Sequence, residues 1–186
     1  MKTVAIFTYN ELSDEAKEFA YKKWLDSERE FYFGNDWLTS IKKGLDHFDF
    51  RLNDWQIDYY CASKGFFRLI TGHDREVIKL TGIELKDYIL GSYPVYYDLY
   101  TPNKLVEVFE GNAPFTGMCY DEEFLQPIKD FLKEPYNITF FELMKLAVKA
   151  ALKGLENDYE YSQSKEYFEQ EAESNEYEYF INGREY

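Results

Sequence analysis

The sequence predicts an α+β fold in which a small, mainly antiparallel sheet packs against helices within a single domain. Apolar side chains recur at helical spacing in several segments, whereas a stretch after Asp54 changes to a period of two. Aromatic side chains make up 20% of the 186 residues. Because disordered segments are poor in aromatic rings, this composition predicts a packed core despite the high charge.

The N-terminal part of the chain predicts one strand and two helices. Residues 2–8 are rich in β-branched and aromatic side chains, which favours a strand. Ser13 is expected to cap the first helix, because its hydroxyl can accept a hydrogen bond from a free amide and carboxylates follow in the first turn. This helix is expected to reach about Ser27. Asn35 and Asp36 are expected to open the second helix.

A hairpin is predicted next, because residues 54–60 alternate between two faces and a turn at residues 63–65 precedes a second apolar run at residues 66–70. Residues 73–90 are expected to form one or two short helices, with a strand from Glu76 to Leu80 as the alternative. Residues 104–110 predict a further strand, which a loop follows.

Two more helices are predicted before the acidic end of the chain. Residues 121–133 carry apolar side chains on one face, and this helix either bends at Pro127 or begins beside it, because proline lacks the amide hydrogen of a helix interior. Thr139 and Glu142 have the spacing of a capping box, which predicts the start of a central helix. Gly154 is expected to be its C-terminal cap.

The chain is expected to divide into an α+β core at residues 1–153 and an acidic, aromatic region at residues 154–186, packed on the same domain. The second region carries ten carboxylates against two cations, a net of about −8 within the chain's −14. We predict a helix at residues 161–174, polar on most faces, and a closing strand at residues 176–186 that joins the sheet.

Carboxylates on the predicted C-terminal helix form a candidate binding surface. Glu166, Glu169 and Glu173 share one helix face, and such a row offers Lys and Arg the same anionic oxygens as a phosphate backbone. Aromatic side chains can add contact area by stacking on guanidinium groups. The residues expected to contact a partner are Glu166, Tyr167, Glu169, Glu173, Glu176, Tyr177 and Glu178. The alternative is a solvated helix face with no partner.

The negative charge favours one class of partner over others. An acidic surface repels nucleic acid and anionic membranes, so we expect a basic protein as partner, with no direct nucleic-acid or membrane binding. No apolar run approaches the roughly 18 residues that span a bilayer, and no secretory signal is recognised. The expected location is therefore the cytoplasm. Cys61 and Cys119 lack CxxC spacing and are expected to be reduced core residues.

Catalytic chemistry has little support in the sequence, and we expect a non-enzymatic protein without a cofactor. His47 and His73 are the only histidines, and no nucleotide-binding or nucleophile-elbow motif occurs. His73, Asp74 and Glu76 form the one compact set of metal-capable side chains that includes a histidine. A metal-binding protein or enzyme using these three residues is the alternative hypothesis. A third is a structural module that forms a homodimer through exposed tyrosines.

Two segments resemble small acidic proteins encoded by bacteriophages and other bacterial mobile elements. The segment TYNELSDEAKEFAYKKW at residues 8–24 is similar to their ELSxEAKxxA start, and NEYEYFINGREY at residues 175–186 is similar to their acidic, aromatic end. Their Gly-rich loop matches CASKGFFRLITG at residues 61–72, which keeps only the Gly-Phe pair. Proteins of this kind include anti-CRISPR proteins, several of which bind a basic nucleic-acid channel. The resemblance implies a non-catalytic inhibitor of a bacterial defence nuclease, such as a Cas9-type effector, in the host cell.

Overall fold

The structure is a computed structural model that describes residues 5–27, 35–93, 115–117 and 119–186. Within these ranges, helices accompany two separate antiparallel sheets of two strands each. The protein is therefore α+β with small antiparallel sheets, which confirms the predicted fold class.

The described elements follow one another along the chain as ten strands and α-helices. They are β1 (Phe7–Thr8), α1 (Asp14–Leu25), α2 (Asp36–His47), β2 (Phe50–Gln56), β3 (Phe66–Thr71), α3 (Gly82–Ser92), α4 (Tyr120–Lys133), α5 (Phe140–Ser162), α6 (Lys165–Ser174) and β4 (Glu178–Tyr179). Short 3-10 segments lie at Tyr9–Glu11, Tyr59–Lys64 and Val77–Lys79.

The described residues divide into two compact units. The first unit takes its residues from Met1–Tyr32 and Asp158–Tyr186, and the second from Phe33–Asn157. The boundary near the acidic end thus lies inside α5, between Asn157 and Asp158. The N-terminal helix α1 belongs to the same unit as residues 158–186 of the predicted acidic region, whereas residues 154–157 belong to the second unit.

The first unit forms around helices α1 and α6. Ser13 caps α1 as predicted, since its hydroxyl accepts a hydrogen bond from the amide of Ala16 at 3.3 Å. Small side chains on α1 include Ala16 and Ala20, which are buried. They allow Phe168 of α6 to approach the helix and to pack on Trp24 with 5.1 Å between ring centroids. These rings and the alanines exclude water from the centre of the unit.

A two-stranded sheet closes the first unit. Phe7 pairs with Tyr179 and Thr8 with Glu178 in antiparallel register, which joins segments from opposite ends of the sequence. The predicted strand at residues 2–8 is thus observed as β1 in the part that the structure describes. The predicted closing strand is observed as β4, which is shorter than residues 176–186.

The turn after β4 contains the Asn-Gly pair of the sequence. Gly183 has a φ of +80°, in the left-handed region that favours glycine. A Cβ at this position would overlap the carbonyl oxygen of Ala16 on α1. Glycine is therefore required here both by the backbone conformation and by the close approach of the turn to the helix.

The second unit contains the predicted hairpin. Strands β2 and β3 pair antiparallel from Phe50 opposite Thr71 to Gln56 opposite Phe66, with an irregularity after Leu52. The first strand begins four residues earlier than the alternation suggested. A 3-10 segment at Tyr59–Lys64 replaces the predicted continuation and tight turn.

The core of the second unit lies between the hairpin and helices α2, α3, α4 and α5. Gly44 of α2 lies close to the ring of Phe124 on α4, and a Cβ there would come within 2.7 Å of that ring. Helix α4 begins at Tyr120 and runs through Pro127, so the alternative in which it begins beside the proline is wrong. Its carboxylate Asp121 is buried and accepts hydrogen bonds from the amide and the hydroxyl of Thr116.

The capping box of α5 is confirmed, but the predicted end of this helix is wrong. Thr139 and Glu142 exchange hydrogen bonds in both directions, and these bonds hold the pKa of Glu142 below its usual range. The helix continues through Gly154 to Ser162. A Cβ at Gly154 would lie 3.0 Å from the side chain of Glu123, so this glycine permits close packing within the second unit rather than ending the helix.

The remaining predictions concern residues 73–90, residues 104–110 and the helix of the acidic region. A 3-10 turn at Val77–Lys79 and helix α3 confirm the short helices expected in residues 73–90, and the alternative of a strand there is wrong. The strand predicted at residues 104–110 lies outside the described residues. Helix α6 begins at Lys165, four residues after the predicted start, because Ser164 caps it by accepting a hydrogen bond from Tyr167.

Replacing Gly183 by alanine tests the turn against α1. We expect the opening free energy of α1 and α6 to fall by about 3 kcal/mol, because the positive φ costs about 1–2 kcal/mol and the overlap with Ala16 a similar amount. Hydrogen exchange of the helix amides measures this loss.

Gly117→Ala is the matched control, since Gly117 has a φ of +82° but open space around the position of a Cβ. Its opening free energy should fall only by the conformational cost of the positive φ, about 1–2 kcal/mol, as measured by hydrogen exchange of the α4 amides. Equal losses in the two variants would contradict the proposed overlap.

Candidate functional site

Negative charge is concentrated in the first unit. Its described residues include fourteen carboxylates and five Lys or Arg, a net of −9, whereas those of the second unit include sixteen and thirteen, a net of −3. Five of the fourteen carboxylates come from the N-terminal segment and not from the acidic end of the chain. The candidate binding surface is therefore wider than the predicted C-terminal stripe.

The predicted stripe divides between solvent and the fold. Glu166 is exposed at the start of α6. Glu169 is half-buried and accepts a hydrogen bond from the hydroxyl of Tyr9 at 3.1 Å, and Glu173 accepts one from the side-chain amide of Asn10 at 2.8 Å. Burial, and then the nearby Glu169, raises the pKa of Tyr9 above its usual range. Two of the three stripe carboxylates thus fix the N-terminal segment to α6.

The two predicted aromatic anchors are part of the packed unit. Tyr167 is half-buried, and its ring lies 6.2 Å from that of Trp24 and 5.7 Å from that of Tyr161. Tyr177 is also half-buried, and its hydroxyl donates a hydrogen bond to Glu171 at 3.3 Å. Neither ring is exposed in the way that an anchor for a partner would be.

Glu171 is a residue that the sequence analysis did not select. Its carboxylate accepts hydrogen bonds from the indole of Trp24 at 3.2 Å and from the hydroxyl of Tyr177. A chemical argument could have identified it. The N–H of a buried Trp and the O–H of a buried Tyr need hydrogen-bond acceptors, and this unit is rich in carboxylates.

Glu176 and Glu178 are exposed beyond the end of α6. Glu176 has a φ of +53°, at a position after a helix that glycine usually occupies. The amide of the next residue, Tyr177, donates to the carbonyl of Ala172 at 2.9 Å, as expected for this kind of helix end. Glu178 lies in β4. Of the predicted contact residues, Glu166, Glu176 and Glu178 therefore present carboxylates to solvent with no side-chain partner among the described residues.

His73 is half-buried and packs against the core rings Phe50 and Phe140 of the second unit. Its Nε2 lies 2.9 Å from the carbonyl oxygen of Phe48 and 3.1 Å from the hydroxyl of Tyr93, and its Nδ1 lies 3.4 Å from that of Tyr88. Asp74, one of its two predicted co-ligands, is exposed.

The other predicted co-ligand of His73, Glu76, is also exposed. In the part of the chain that the structure describes, no group of three or more His, Cys, Asp and Glu side chains could hold a metal ion. The predicted trio is thus not brought together. His47 is packed against Phe48 and Tyr93, and burial lowers its pKa.

The cysteines differ in exposure. Cys61 is half-buried, whereas Cys119 is exposed, so the predicted core position is wrong for Cys119. Neither cysteine forms a disulfide within the described ranges. No helix in those ranges has both the length and the apolar composition needed to cross a bilayer.

Glu171→Ala is expected to destabilise the first unit by about 1–2 kcal/mol, because it removes the acceptor of two side-chain hydrogen bonds. Hydrogen exchange of α1 and α6 amides measures the change. Glu160→Ala is the control, since Glu160 is exposed and its side chain makes no hydrogen bond among the described residues. It should change stability by less than about 0.5 kcal/mol. Similar effects for both variants would show that charge, and not hydrogen bonding, governs Glu171.

Comparison with known proteins finds no relative of this chain. The chain matches no protein-family model, no curated protein and no solved structure.

Proposed function

We propose that this chain is a non-catalytic inhibitor that binds a basic, nucleic-acid-handling surface of a bacterial defence nuclease of the Cas9 type. The observation that carries the proposal is the concentration of charge in the first unit, at −9 over its described residues. The resemblance of the two ends of the chain to proteins of mobile elements supports the choice of a nuclease as partner.

The charge of the first unit is available to a partner. Eleven of its fourteen described carboxylates are exposed. Of its few cations, Lys22 and Lys165 each lie 3.5 Å from Glu18 and so are partly neutralised within the unit. A surface with this excess of carboxylates accelerates encounter with a basic partner and offers acceptors to its Lys and Arg side chains.

The carboxylates are attached to ordered elements. Glu166 lies on α6, Glu178 on β4, and Asp14 and Glu15 on α1, all of them around one aromatic core. Fixed carboxylates lose less conformational entropy on binding than the same residues in a disordered tail. An array of carboxylates on a folded backbone supports competition with a phosphate backbone for the same Arg and Lys side chains.

Reversing the three exposed carboxylates of the predicted set that have no side-chain partner among the described residues tests the contact surface. We expect Glu166→Lys, Glu176→Lys and Glu178→Lys together to weaken binding to a Cas9-type effector by more than about ten-fold at low salt. Binding by the unaltered chain should also weaken steeply as the salt concentration rises, because screening reduces attraction between exposed charges. Titration calorimetry at two salt concentrations measures both effects.

The control reverses three exposed carboxylates of the second unit, Asp74, Glu76 and Asp87, which changes the net charge by the same amount. Its affinity should stay within about three-fold of the unaltered chain. Equal weakening in both triple variants would refute the assignment to the first unit. Absence of binding by the unaltered chain at low salt would refute the nuclease as the partner.

A further inference from the structure

The first unit contains an aromatic cavity that the contact surface proposed above does not use. Its volume is about 270 Å³, slightly below the roughly 300–1,000 Å³ of pockets for drug-sized ligands. The size therefore suits one side chain rather than a cofactor. The lining side chains that bear on its chemistry are Trp24, Phe168, Tyr177, Tyr179, Lys23 and Glu185.

The aromatic walls of the cavity are held in place by contacts within the unit. Trp24 and Phe168 pack together, and both are buried. Tyr179 is 3% exposed and lies in β4, whose backbone pairs with β1. Tyr177 is fixed by the hydrogen bond from its hydroxyl to Glu171. A cavity with walls of this kind is preorganised, so little ordering is needed when it is filled.

The electrostatics of the cavity favour a cation. Trp24, Phe168 and Tyr179 are each at most 6% exposed and form the floor of the cavity, whereas Tyr177 is half-buried and offers most of the accessible ring surface. An aromatic ring attracts a cation through its quadrupole. Glu171 accepts hydrogen bonds from two of the wall rings, Trp24 and Tyr177, which places a negative charge at their polar edges. Glu185 adds a second carboxylate to the lining itself. Lys23 is the one cation among the described residues that line the cavity, and it is exposed.

We propose that this cavity binds an arginine side chain of the basic partner. A guanidinium group is planar, stacks on aromatic faces and is more weakly hydrated than an ammonium group, so it loses less on entering a ring-lined site. Glu185 supplies a carboxylate that can accept from its N–H groups. The identity of the partner rests on the proposed function, whereas the preference for guanidinium rests on the cavity alone.

Two side chains of opposite charge at the cavity give a matched pair of variants. Glu185→Gln removes an acceptor and a negative charge, so it should weaken guanidinium binding by about three- to ten-fold. Lys23→Gln removes a like charge and should strengthen binding by about two- to three-fold. Both residues are exposed, so neither substitution disturbs the aromatic core. Opposite shifts are expected only if a cation occupies the cavity.

The probe for this test is N-acetyl-arginine amide, titrated into the full chain while the indole N–H signals are followed by NMR. We expect the signal of Trp24 to shift and saturate, while those of Trp37 and Trp55, which belong to the second unit, stay unchanged. N-acetyl-norleucine amide, an uncharged analogue of similar length, should cause no saturable shift. Equal binding of the two probes, absence of a Trp24 shift, or parallel effects of the two variants would overturn the proposal.

The outcome separates this inference from the proposed function. Saturable arginine binding combined with failure to bind the nuclease would keep the cavity and reject that partner. Charge-dependent nuclease binding without an arginine response at Trp24 would keep the partner and reject the cavity as an arginine site.

Discussion

The packing of Trp24 on Phe168 is the contact on which the first unit depends. The fourteen carboxylates of its described residues outnumber the five cations and repel one another. This repulsion opposes a compact state. The buried rings and the alanines of α1 and α6 provide the apolar contact that offsets it. Everything proposed for this surface, including the exposed carboxylates and the cavity, requires these two helices to remain together.

Carboxylates and aromatic rings alternate in this chain for a structural reason as well as a functional one. A tyrosine or tryptophan that packs in a small core has a polar tip that needs an acceptor. In the first unit, carboxylates fill that role, since Glu169 accepts from Tyr9 and Glu171 accepts from Trp24 and Tyr177. The acidic character therefore does two things at once: part of it satisfies the core, and the rest faces solvent.

Local signals in the sequence identify the caps of two helices but not the contacts between distant residues. Ser13 and the Thr139–Glu142 pair were recognised because a helix cap depends on neighbours three residues away. Gly154 was misjudged because its role depends on Glu123, a contact that no local pattern reveals.

The candidate site was predictable to a similar extent. Its charge was evident from composition, and exposure of Glu166, Glu176 and Glu178 agrees with that expectation. The use of Glu169 by Tyr9 was not evident, because the two residues are 160 positions apart. Long-range pairs of this kind arise from the fold, and a single sequence contains no local trace of them.

The large separation in sequence between α1 and α6 affects when the first unit can fold during translation. Ribosomes add about 5–20 residues per second, and α6 follows α1 by roughly 140 residues, so α1 emerges on the order of ten seconds before its partner helix. During that interval Trp24 and its neighbouring alanines have no α6 to cover them. The first unit is thus completed only after α6 and β4 have been synthesised, and any activity of its surface awaits those two elements.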